Sequence, residues 1–268
     1  MGNEITNTTR EHYIPRAAFL RRFSDTSYSD DKKNSICCYN VENKTHFISN
    51  VYQVGYENGL YECDWLDRNS VENILRDIET DYKPELDRLI GICNNPNNEK
   101  SLILNNENER ENLKFFLTLQ YYRTPKKRSE YEARTKEERQ RLFLGALIGK
   151  APDGIWWIKK NTLELAKHYF VFERNKTQTP FVVSDQPILL FKTDGSEKKL
   201  NYRFPLTPTI QVFLINPDSK ISESMQQWRN RIKIIKESDD ETVKAWNRIA
   251  ADNSRLFVYY PPNSPEVF

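Results

Sequence analysis

The final third of this chain leaves few choices of architecture. "HYFVFER", "TPFVVSDQPILLF", "LNYRFPL", "TIQVFLI" and "RLFVYYPP" follow one another, each rich in β-branched and aromatic residues and separated by polar turns. Upstream the period is different. Apolar residues recur at Val71, Ile74, Leu75 and Ile78, then at Leu86, Leu89, Ile90 and Cys93. That is helical spacing twice over, interrupted at Pro84. Helices grouped in the middle and strands at the end predict an α+β fold, a helical middle packed on a mostly antiparallel sheet from the C-terminal third. A single domain spanning residues 1–268, with 1–10 flexible, accommodates both.

Local signals refine this plan. "ICCYNVENKTHFIS" predicts a small N-terminal hairpin turning at Glu42-Asn43-Lys44, and Asn58-Gly59 marks another turn. A helix over about Glu107 to Tyr122 stops ahead of Thr124-Pro125. "KKRSEYEARTKEERQRLFLGALIG" predicts one further helix, charged first and apolar later. "PDGIWW" opens with a turn, and "NTLELAKHYF" predicts a short helix. Ser238 and Glu241 have the spacing of a capping box for a helix through "TVKAWNRIAADN".

Composition narrows the functional classes. A net charge of +2 gives no bulk attraction to nucleic acid or acidic membranes, so such a partner has to be met by a local patch. No apolar run reaches the ~20 residues of a membrane helix, and the first residues lack a signal-peptide core. Cys37, Cys38, Cys63 and Cys93 form no C-x-x-C pair, and the vicinal pair is a poor disulfide frame. A reducing, cytoplasmic location is expected. His12, His46 and His168 are too scattered for a metal motif; the sequence requires no cofactor, and a divalent metal stays open.

Chemistry concentrates where polar residues interrupt apolar faces. In the opening helix Arg16 sits three and four residues before Phe19 and Leu20, while Arg21 and Arg22 point elsewhere. In the long helix Gln120 falls on the stripe of Leu113, Phe116 and Leu117. Asn247 lies within the stripe of Val243, Trp246 and Ala250. Within "FVVSDQPILLF", Pro187 cannot donate a ladder hydrogen bond, so the strand ends, bulges or runs along an edge. Asp185 is then the carboxylate turned inward. Such groups cost about 1–3 kcal/mol each if buried unpaired. They therefore partner one another, as an architectural network or as the lining of a pocket.

The stretches "HYIPRAAFLRRF", "LQYYRTPKKR", "FVVSDQPILLF" and "FPLTP", with Asn247 ahead of a terminal "FVYYPP", resemble the bacterial and fungal family of domain of unknown function 4238. The resemblance runs in order from His12 to about Pro261. It implies a shared fold and pocket with polar positions at His12, Arg16, Gln120, Arg123, Arg128, Ser184, Asp185 and Asn247. Gln186 stands where many relatives have asparagine.

As a site, this cluster assigns His12 as general acid or base, oriented by Asp185, with Gln120 holding a water or a base edge. Arg16, Arg123 and Arg128 offer donors to a phosphate or carboxylate, with Ser184 and Asn247 beside them. The expectation is a phosphodiester hydrolase, and the family character extends this to a nuclease effector of a bacterial defence or toxin system. Two alternatives stand beside it. One is a non-catalytic sensor of a nucleotide or small anion; the other is a structural protein with a buried polar network.

Overall fold

A computed structural model of the protein describes residues 11–13, 15, 17–25, 34–98, 102–104, 106–131, 133, 135–148, 162, 164–193, 199–264 and 266–268. Arg16, residues 1–10, most of the loop after Asp25 and the turn at 152–157 lie outside the described residues, as do the side chains of Glu11, His12 and Tyr13.

The architecture is α+β, with mostly antiparallel sheets. The larger sheet has five strands: β5 (Tyr169–Asn175), β7 (Leu189–Phe191), β8 (Asn201–Thr207), β9 (Ile210–Ile215) and β10 (Ile232–Ile235). Their order is β10-β5-β9-β8-β7, with β10 parallel to β5 and the other pairs antiparallel. Continuous burial along β5 and β9 follows from packing on both faces. Phe170, Phe172, Val212 and Leu214 face α2 (Ser70–Asn94) and α3 (Glu107–Tyr122). Tyr169, Val171, Phe213 and Ile215 pack with Met225 of α6 (Ser222–Met225) and Trp246 of α7 (Asp240–Asn253).

The second sheet joins the two ends of the chain. β2 (Ser35–Asn40) and β3 (Thr45–Asn50) form the expected hairpin, turning at Lys44 with φ 56°. The hairpin is not an appendage. β11 (Phe257–Tyr260) pairs with β2, and β6 (Val183–Ser184) pairs with β11, giving the order β3-β2-β11-β6. The break at Asp185-Gln186-Pro187 ends β6 and sends the chain into β7 of the other sheet, so one apolar run serves two sheets. One face of the second sheet receives Leu20 of α1 (Ala17–Leu20) and Phe23; the other receives Ala250 of α7. A two-stranded ribbon of β1 (Glu11–Tyr13) and β4 (Tyr56–Asn58) puts the His12 backbone opposite Glu57.

Three local expectations are corrected. The helix after Pro125 is two helices, α4 (Pro125–Ser129) and α5 (Lys136–Ile148). Thr124 caps the first by accepting from Lys127 N–H, and Thr135 accepts from Glu138 N–H at 3.0 Å at the start of the second. α2 runs unbroken through Pro84: beyond the proline Leu86, Leu89 and Cys93 pack on the sheet, and before it Val71 and Leu75 pack with Leu119 of α3 and Phe143, Leu144 and Leu147 of α5. The Ser238–Glu241 box does not form: the Ser238 hydroxyl donates to Asp239, and Asp240 accepts from Thr179 N–H. β10 went unrecognised because four residues with a lysine among them carry too little pattern.

Candidate functional site

A cavity of about 230 Å³ opens where α1 meets α2, α3 and β8. Its walls are aromatic. Phe19 stacks on Phe204 with centroids 5.2 Å apart, and Phe116 is backed by Tyr82 at 4.5 Å. Gln120 lines the cavity from α3 and is only 7% exposed, yet its Nε2 has no hydrogen-bond partner. A buried donor left open in a packed structure is costly. From α2, Thr80 contributes to the wall, and Pro84 has no N–H to offer its carbonyl. Arg22 and Lys83 supply positive charge to the lining, both donating to Asp87, at 2.8 and 2.6 Å. Burial opposes ionisation of Asp87, but the bonds from Lys83 and Arg22 hold its pKa below 3.8.

The sequence-selected residues meet different fates. Gln120 reaches the cleft. Arg123 lies next to it, fully buried, donating to the Tyr61 hydroxyl at 3.1 Å and to Glu79, which lines the cleft. Arg128 is paired with Glu57, which also faces Arg255 at 3.7 Å. Asp185 turns inward, but onto backbone: it accepts from Arg255 N–H at 2.8 Å, Leu256 N–H at 2.7 Å and Phe257 N–H at 3.1 Å. Burial raises its pKa above 3.8 although those three bonds pull it down. Ser184 closes a local turn with Gln186, donating to its carbonyl and accepting from its N–H.

Asn247 is completely buried and saturated. Its Oδ1 accepts from Val182 N–H, and its Nδ2 donates to the carbonyls of Pro180 and Val267. His12 contributes a described backbone only, and Arg16 lies outside the described residues; Pro15, between them, lines the cleft. Among the described residues, Gln120 is thus the sequence-selected side chain in the cleft lining. The others described are held by backbone or by ion pairs, Arg123 through Glu79 at the cleft wall.

Sequence reasoning missed Arg22, Glu79, Thr80 and Lys83. Arg22 was assigned away from the buried side, yet it shares the cleft lining with Phe19 and lies over that ring at 5.6 Å. On α2, Glu79, Thr80 and Lys83 form a polar band at helical spacing beside the apolar face. That spacing was readable, but nothing in it separates a cleft wall from a solvated surface.

These elements define an α+β protein with a small aromatic cleft carrying one open amide donor and a cationic flank. The chain belongs to the family described as protein of unknown function (DUF4238), matched over residues 10–155 and 156–264. No curated protein and no solved structure matches it. Among the described residues no helix is long and apolar enough to cross a membrane, and no three His, Cys, Asp or Glu side chains are grouped to hold a metal ion.

Proposed function

We propose that this chain binds a small, flat, anionic molecule of the mononucleotide class in the cleft between α1, α2 and α3. The observation that carries the reading is Gln120 in the wall of a cavity lined by Phe19, Phe116 and Phe204, its buried Nε2 without a hydrogen-bond partner. A planar ring with an acceptor on its edge satisfies that donor and lies against the aromatic walls. Arg22 and Lys83 share the single carboxylate of Asp87, and the positive charge left over suits a phosphate at the same site. The cavity is smaller than the ~300–1,000 Å³ usual for drug-sized ligands, which disfavours a larger dinucleotide cofactor.

Phosphodiester hydrolysis is the second reading, favoured by Pro15 in the cleft wall. Three residues of chain span at most about 11 Å, so the His12 backbone stays within that distance of Pro15. In this reading His12 is the acid–base group, and Arg22 takes the phosphate role given to Arg123 by sequence. Nuclease activity on RNA or DNA, as in a bacterial defence or toxin system, is the substrate class that this reading proposes.

Calorimetric titration with AMP and UMP tests the first reading. Binding is expected, weakened by Gln120→Met and by Arg22→Ala; the absence of binding by either nucleotide refutes it. For the second reading, the wild-type chain degrades an RNA or DNA oligonucleotide and His12→Ala does not, at an unchanged melting temperature. A wild-type chain that leaves both intact removes hydrolysis of nucleic acid.

A further inference from the structure

The opposite flank of α3 carries a second cavity, about 560 Å³ in volume, that the mononucleotide reading does not use. Phe116 and Gln120 face the first cleft, whereas Leu117, Thr118, Tyr121 and Tyr122 line this one. Its walls are tyrosine-rich: Tyr121 meets Tyr202 edge-on at 6.3 Å, and Tyr122 stands beside Tyr121 at 5.1 Å. Lys127 lies 4.6 Å from the Tyr121 centroid and donates to Glu130, so its charge is already answered. Glu164 is exposed in the lining and carries an acceptor charge.

His168 completes this wall and is 8% exposed. Its Nε2 lies 2.9 Å from the Leu200 carbonyl, which only accepts, so Nε2 carries the proton and Nδ1 is the lone-pair acceptor. That Nδ1 is buried with no hydrogen-bond partner. Burial, assisted by the charge of Lys114, holds the imidazole pKa below 6.5 against the opposing pull of the Leu200 and Leu165 carbonyls, so the ring is neutral at neutral pH. The two flanks of α3 therefore carry opposite unmet demands: a buried donor without a partner in the wall of one cavity, a buried acceptor without a partner in the wall of the other.

We infer that this second cavity is a binding site for a flat heteroaromatic amine, such as an aminopurine or aminopyrimidine, whose ring packs on Tyr121 and Tyr202 and whose N–H groups donate to His168 Nδ1 and Glu164. A neutral or singly cationic ring suits aromatic walls that hold, among the described residues, a single lysine already paired with Glu130.

The test uses the full chain and three probes: adenine, 2-aminopyrimidine and, as a flat anion without a donor, benzoate. Titration followed by the ¹⁵N resonances of histidine reads the imidazole directly. The expected result is a saturable shift of His168 Nδ1 with both amines and no shift with benzoate, whatever either does in the first cleft. His168→Gln retains a donor toward Leu200 and removes the ring acceptor; Glu164→Gln alters an exposed residue and spares the fold. Measured in a Gln120→Met background, in which the first cleft is disabled, each is expected to weaken the amines about tenfold. The inference is overturned if neither amine binds, if they bind without moving the Nδ1 resonance, if benzoate moves that resonance equally, or if Glu164→Gln and a folded His168→Gln both bind as their Gln120→Met parent.

Discussion

Replacing Gln120 by methionine is expected to stabilise the unliganded protein while abolishing its response to a nucleotide. The wild-type carboxamide nitrogen is buried with no acceptor. An unsatisfied buried donor costs about 1–3 kcal/mol, which methionine recovers. Its length and flexibility allow it to fill the same space between Phe116 and the cleft with little strain. For a chain of this size each kcal/mol moves the melting temperature by roughly 2–4 °C, so an upward shift is readily measured. Urea denaturation is the sharper assay, because a higher midpoint at unchanged slope isolates stability from a change in the unfolded state. In the wild type, AMP at about 100 times its dissociation constant adds roughly 2.7 kcal/mol; in the variant this increment shrinks or disappears. A lower urea midpoint for Gln120→Met would refute the reasoning, since it would mean that the amide is satisfied in the native protein and serves the fold.

Three further outcomes follow from the same geometry. Asp185→Asn keeps one oxygen for Leu256 and Phe257 N–H but turns an NH₂ toward Arg255 N–H; a loss of about 1–3 kcal/mol in urea denaturation is expected, with AMP affinity retained. Glu173→Ala breaks a buried chain in which Arg203 Nε donates to Gln211, Gln211 to Glu173 at 2.7 Å, and Lys233 to Glu173 at 2.7 Å. Burial already lowers the Arg203 pKa to about 9. Leaving that charge without its carboxylate costs about 3–5 kcal/mol, whereas Lys233→Met, at the more exposed end, leaves Glu173 its bond from Gln211 and costs less. His168 is held below its ordinary 6.5, so on acidification the unfolded chain takes up the proton first. Stability referable to His168 is therefore complete above about 6.5 and declines as pH falls toward the lower folded value. Parallel pH series for wild type and His168→Gln are expected to diverge in that window and run parallel above it.

How much was legible in advance depends on the range of the interactions involved. The span of α3, the hairpin at Lys44 and the strands after Tyr169 follow local rules of period, capping and turn chemistry, and those rules act within a few residues. The partition of the strands into two sheets does not, because β11 pairs with β2 across most of the chain, and a proline-bearing break divides one apolar run between sheets. The polar intrusions make the same point at the level of single side chains. On helical wheels Gln120 and Asn247 are indistinguishable, each a carboxamide inside an apolar stripe. Asn247 meets the Val182 N–H and two carbonyls and is consumed by the fold, while Gln120 meets a cavity and stays open. Asp185 was rightly turned inward from its place before Pro187, but only the arrival of residues 255–257 decided that backbone would claim both its oxygens. Helical and strand periodicity follows from the chain's own geometry; the partner of a buried polar group is delivered by another segment, and its identity is decided when the segments pack.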